Sequence, residues 1–192
     1  MSELDFLAVD VAPSSERFRP LARSPMARRL REAGAEFGER NGWLVAVSVP
    51  GEEEVSAGIR DVTHAYRVDE LSGEAKLRPD AQVVRLPAGR SFVATPRDGS
   101  AAETAPTARG LDLSAAFAAL EIEGPGASQV MRRVTDLDLE RLPAAGPVAR
   151  VRAFVFRYAP EGYRIFFRQE FGHYLWDVVV DAAKPLGGGP RA

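Results

Sequence analysis

The stretch that decides the fold covers residues 111–183. It opens LDLSAAFAALEIEGPGASQVMRRVTDLDLERL (111–142) and closes YRIFFRQEFGHYLWDVVVDAA (163–183). Phe117 to Glu123 alternates and reads as a strand. Gly124-Pro125-Gly126 turns the chain. Ala127 to Val134 then reads as a short helix presenting Val130, Met131 and Val134. Val148 to Tyr158 and Gly162 to Arg168 form a hairpin around Ala159-Pro160-Glu161-Gly162. Glu170 to Ala183 is the clearest helix, with Phe171, Tyr174, Leu175, Val178, Val179 and Ala182 spaced as one apolar stripe. The order β-α-β-β-α predicts an α+β fold with split βαβ (ferredoxin-like) elements. Its helices should lie on one face of a mostly antiparallel sheet.

Upstream, the pattern is less regular. Residues 1–23 mix acidic, Pro and Ser residues and read as a flexible arm. Ser24-Pro25 looks like a helix start, a cap followed by Pro at the first helical position. Met26, Leu30, Ala33 and Phe37 extend that helix until Asn41-Gly42 ends it. Trp43 to Val49 is a strand. Ile59 to Leu71 contains a second. Gln82 to Leu86 and Ser91 to Thr95 pair across Pro87-Ala88-Gly89. The segment 97–110 is a loop between two halves. The expected layout is therefore one domain over 24–187, flanked by the arm and by a mobile tail at 188–192. No internal repeat stands out. Two segments, one from Arg60 and one from Leu111, do share an order: Asp and Ser/Thr, then a strand, then a Gly turn.

Composition narrows the function classes. The chain has 192 residues, 45% hydrophobic and 27% charged, with a net charge of −2. That is a globular profile with no global attraction to nucleic acid or anionic lipid. With no cysteine, disulfides, thiolate catalysis and Cys-type metal sites are excluded, and a cytoplasmic setting is expected. The first twenty residues lack the apolar run of a secretory signal, and no run approaches the length of a membrane span.

At several of these residues the chain resembles the folate-binding domain family of the glycine-cleavage T-protein (aminomethyltransferase). Gly42-Trp43 and Asp61-Val62-Thr63-His64 are similar to the opening of that family. Leu111-Asp112-Leu113-Ser114, Gly124-Pro125-Gly126-Ala127, Asp136-Leu137-Asp138-Leu139 and Glu170-Phe171-Gly172-His173-Tyr174-Leu175-Trp176 look like the gamma subunit of heterotetrameric sarcosine oxidase. The region 73–110 matches poorly. Ala115 stands where the family has His, and Gln169 and Glu170 also depart from it.

The resemblance implies a T-protein-like folate-binding domain. It also implies protein partners, either flavin-dependent amine oxidase subunits or further copies of the chain, with any flavin on those partners. This chain itself would need no cofactor, although tetrahydrofolate is the ligand such a domain takes. An aminomethyltransferase carries catalytic acids between its middle strands. Here Arg150 to Arg168 contains no Asp, and its one acid, Glu161, lies in a turn. Aminomethyl transfer is therefore expected to be lost, because it needs a carboxylate near the folate nitrogen.

The leading expectation is a non-catalytic accessory subunit. The alternative is a stand-alone tetrahydrofolate-binding protein. Nucleic-acid modification would rest on fold analogy alone. No catalytic residue is assigned. The candidate ligand or partner contacts are His64, Arg168, Glu170 and Trp176. Trp176 falls off the apolar stripe and suits an interface anchor, with packing under the first half as the alternative. His173 and Asp177 sit one helical turn apart and could pair. The two His residues are too isolated for a metal site. Arg28, Arg29, Arg31, Arg132 and Arg133 suit phosphate binding or a solvated helix face.

Overall fold

Leu120 and Ile122 of one strand and Ile165 and Phe167 of its neighbour have no exposed surface. These strands are buried on both faces, at the middle of a six-stranded sheet. The computed structural model of the chain describes residues 20–73, 76–97 and 109–192. In chain order the strands are β1 (Ala22–Arg23), β2 (Glu36–Arg40), β3 (Trp43–Ser48), β4 (Gly58–Asp61), β5 (Tyr66–Ser72), β6 (Gln82–Leu86) and β7 (Arg90–Pro96). They continue with β8 (Arg109–Asp112), β9 (Phe117–Glu123), β10 (Ala144–Val148), β11 (Val151–Ala159), β12 (Gly162–Arg168) and β13 (Gly189–Arg191). The helices are α1 (Ala27–Glu32), α2 (Ala127–Val134) and α3 (Gly172–Ala183). The large sheet has the order β10-β11-β12-β9-β4-β13. A four-stranded sheet runs β6-β7-β5-β8, and a small one runs β1-β3-β2. Most pairings are antiparallel, so the fold is mixed α/β with mostly antiparallel sheets and few helices.

The period of two sorts β9 and β12 onto two cores. Ala118, Leu120, Ile122, Tyr163, Ile165 and Phe167 share one cluster with Leu30 of α1, with Val130 and Met131 of α2, and with Leu175 and Val179 of α3. Phe117, Ala119 and Phe166 face the other way, onto Val68, Phe92 and Ala94 of the four-stranded sheet and Phe154 and Phe156 of β11. Phe92 stacks on Phe154 with centroids 3.9 Å apart and approaches Phe166 at 5.5 Å. Such pairs add to the apolar area they bury.

The order shared by the segments from Arg60 and Leu111 is a structural repeat, plain in the hydrogen bonds. Asp61 Oδ1 accepts from the Thr63 N–H at 3.0 Å, and Asp112 Oδ1 accepts from the Ser114 N–H at 2.9 Å. Thr63 Oγ1 accepts from the Ala119 N–H at 3.1 Å, and Ser114 Oγ accepts from the Val68 N–H at 3.0 Å. The Val62 N–H donates to the Ala119 carbonyl, and the Leu113 N–H to the Val68 carbonyl. Each half thus turns on an Asp-x-Ser/Thr corner that anchors the leading strand of the other half.

Several expectations need correction. The first helix ends at Glu32, not at Asn41. Gly34 has φ +86, and residues beyond it form β2. Asn41 and Gly42 are both left-handed, φ 51 and 79, and make the two-residue turn of the β2–β3 hairpin. Ile59 to Leu71 is two strands in different sheets, broken by the single turn Thr63–Ala65. Residues 189–191 are no mobile tail: β13 pairs with β4, with the Gly189 N–H donating to the Ala57 carbonyl at 3.0 Å. Ala22–Arg23 of the expected arm pairs with β3. The remainder of that arm, 1–19, and most of the loop, 98–108, lie outside the described residues.

The stripe of α3 is displaced. Its buried residues are Gly172, Leu175, Trp176, Val179, Val180 and Ala183. Gly172 lies against Pro25, where a Cβ would come within 2.6 Å of the Pro25 Cβ. That contact turns the Gly172–Trp176–Val180 line inward and leaves Phe171 and Tyr174 41% and 47% exposed.

Candidate functional site

The second face of the large sheet is apolar at the Phe117 end and polar beyond it. Glu121 on β9 and Arg164 on β12 are register partners on that face. Each is 8% exposed. Arg164 Nε donates to Glu121 Oε1 at 2.8 Å, and Nη2 donates to the same oxygen. Burying two charges is costly, and the pair is tolerable because each satisfies the other. The Arg164 guanidinium also lies 4.4 Å from the ring centroid of Tyr66 on β5 and 4.4 Å from that of Tyr158 on β11. Arg60 on β4 extends the cluster, 3.7 Å from Glu121 and 4.0 Å from Glu123.

Both phenols are poor acids. Burial, with Glu121 and Asp80 adding to it against the opposing Arg164, pushes Tyr66 up to about 12. Burial, with Glu121 and Glu123, raises Tyr158 against Arg164 and Arg60. The Tyr158 hydroxyl is buried with no hydrogen-bond partner. These groups can donate hydrogen bonds and stack at neutral pH, but they supply no nucleophile.

Arg60 also lines a cleft of about 450 Å³ with Arg40, Glu52, Asp61, His64 and Arg191. Burial raises the Asp61 carboxyl above the usual range, opposed by hydrogen bonds from Ser24 and Thr63. Burial lowers His64, and the nearby Arg40 lowers it further, so its imidazole is neutral at pH 7. The cleft holds cations and carboxylates together. Among the described residues, no group of three or more His, Asp or Glu could hold a metal ion.

The candidates from the sequence separate. His64 lines the cleft. Arg168 and Glu170 pair with one another at 3.4 Å on the surface beyond β12, where the Arg168 guanidinium reaches 5.9 Å from the Phe117 ring. Trp176 is 3% exposed and belongs to the helical core, so it is not an exposed anchor. Asp177 bonds Arg29 at 2.6 Å instead of His173. Sequence reasoning missed Glu121 and Arg164. The signal was there: one charge interrupts each of two apolar runs, FAALEIE and GYRIFFR, and an interrupting charge in a buried strand needs a partner.

No family profile matches the chain. An alignment 80 positions long, covering 37% of the chain, is 30% identical to the aminomethyltransferase of two Porphyromonas gingivalis strains, ATCC 33277 and W83. That match spans 22% of those proteins' length. A chain of the heterotetrameric sarcosine oxidase from Corynebacterium sp. U-96, solved in complex with pyrrole 2-carboxylate, superposes with a TM-score of 0.61 at 19% identity. The superposition covers 89% of this chain and 99% of that one. Aminomethyltransferase T of the Bartonella henselae glycine cleavage system gives a TM-score of 0.66 at 16% identity, covering 89% of this chain but 59% of that one. The chain therefore has the T-protein-like fold. Its structural neighbours include the sarcosine oxidase gamma subunit and the glycine cleavage T-protein.

Proposed function

We propose that this chain is a non-catalytic subunit of a multi-chain, flavin-dependent amine oxidase of one-carbon metabolism. In this role it is a T-protein-like module, with any flavin carried by its partners. The observation that carries the reading is the missing acid: residues 150–168, which span β11 and β12, contain no Asp, and their one acid, Glu161, lies in the turn between the two strands. The chemistry agrees: the buried acid of the polar cluster is spent on Arg164, and both phenols are held protonated.

The reading keeps one domain but widens it from 24–187 to 22–191, because β1 and β13 pair into its sheets; it takes the 97–110 segment as the join between its halves and β9, α2 and β11 as its split βαβ element. His64 in the cleft and Arg168 and Glu170 at the end of β12 are its proposed ligand or partner contacts. Phe171 and Tyr174 replace Trp176 as the aromatic anchors, because they are the exposed ones. The test is co-expression with the flavin-bearing subunits of a heterotetrameric sarcosine oxidase, followed by affinity capture and native mass spectrometry. Stoichiometric recovery of flavin-containing partners is expected. A chain that stays monomeric in the presence of all of them overturns the reading.

A further inference from the structure

We infer that Tyr66, Tyr158 and Glu121 form a seat for a planar cation, and that Arg164 is the ligand this seat now holds. The inference does not depend on the assembly role. The guanidinium has an aromatic ring 4.4 Å away on β5 and another at the same distance on β11. A carboxylate oxygen takes two of its N–H groups. The seat is closed on its apolar side by Phe166, which meets Tyr66 edge-on at 5.4 Å. On its other side Gly162 leaves the space that the Tyr158 ring occupies: a Cβ there would lie 2.8 Å from the Tyr158 Cζ.

Two π faces and one carboxylate select a flat, delocalised cation with N–H donors in its plane, a guanidinium or an amidinium. A spherical ammonium meets neither requirement as well. The Tyr158 hydroxyl, buried without a partner, offers a further contact that Arg164 leaves unused. Arg164 is fixed in the middle of β12 opposite Glu121. A planar group from outside can enter this face only by displacing it.

Chemical rescue tests the seat. Arg164→Ala leaves the buried Glu121 with only the long 3.7 Å contact to Arg60, and the thermal midpoint should fall by roughly 10 °C. Methylguanidinium chloride at about 20 mM, too dilute to denature, should restore at least half of that loss, saturably. Sodium and tetramethylammonium chloride should not. Wild type, whose seat is taken, should not respond. Arg164→Ala combined with Glu121→Gln should lose less and show no rescue. If Arg164→Ala does not fold alone, refolding to the native near-ultraviolet circular dichroism with methylguanidinium, but not with sodium, is the same result. Equal recovery with all three cations overturns the inference, as does rescue that persists without the Glu121 carboxylate.

Discussion

Asp61 and Asp112 occupy equivalent corners yet experience opposite environments. Each accepts the N–H two residues on. Burial dominates at Asp61 and raises its carboxyl despite the bonds from Ser24 and Thr63. At Asp112 burial also opposes ionisation, but the Ser114 bonds together with Arg67 and Arg97 outweigh it, and the carboxyl is lowered. The signs follow from linkage. The unfolded chain ionises Asp61 more readily than the fold does, so Asp61 costs stability at neutral pH and that cost fades as pH falls toward 4. Asp112 contributes stability above pH 4, which is lost as pH falls through its lowered value. Asp61→Asn keeps an acceptor for Thr63 and should raise the thermal midpoint at pH 7 by roughly 2–4 °C, with the gain shrinking at pH 4. Asp112→Asn should lower the midpoint at pH 7. Differential scanning calorimetry across pH 4–8 reads both, and a lower midpoint for Asp61→Asn at pH 7 would refute the assignment.

Elements are held in place by glycines with particular neighbours. Gly124, in the turn between β9 and α2, has φ +117, and a Cβ there would sit 2.6 Å from the Ser56 carbonyl oxygen. That carbonyl accepts the Gly126 N–H at 3.0 Å, so it cannot retreat freely. Gly42, in the β2–β3 turn, has φ +79 and nothing within 4 Å. Gly42→Ala should therefore pay for the backbone alone, about 1 kcal/mol, while Gly124→Ala should cost about 3 kcal/mol because the clash adds to the strain. Urea titration of both variants checks the ranking, and equal losses would contradict it. The same glycines mark what the sequence could reveal. The runs at β9, α2, β11 and β12 were legible because their periods and turns agree. Asn41-Gly42 was a hairpin signal read as a helix end, since an apolar spacing across Gly34 fitted a helix as well. The face of α3 was misjudged because Val178, Val179 and Val180 are contiguous, and only the contact of Gly172 with Pro25 settles which of them point inward. The Glu121–Arg164 pair needed the β9–β12 register, a long-range fact that a single strand does not carry.

At the scale of the molecule, the described residues leave an aromatic surface open. Phe171 and Tyr174 open onto solvent at the start of α3, beside Arg168 and Glu170. Tyr174 is oriented: its hydroxyl donates to the Ala149 carbonyl at 3.0 Å, which holds the ring in place before any partner arrives. Aromatic side chains next to Arg, pre-set and exposed, are the composition of interface anchors. A double substitution, Phe171→Ser with Tyr174→Ser, removes the anchors and leaves the buried line of α3 untouched. Its thermal midpoint should stay within about 3 °C of wild type, since exposed substitutions change stability little. Its affinity for the proposed oxidase partners should fall by at least ~30-fold, the loss of one strong anchor. Surface plasmon resonance against the captured partner complex measures the second effect and calorimetry the first. Unchanged affinity with an unchanged midpoint would move the interface away from α3, and the cleft at Arg40 and His64 would then be the next face to alter.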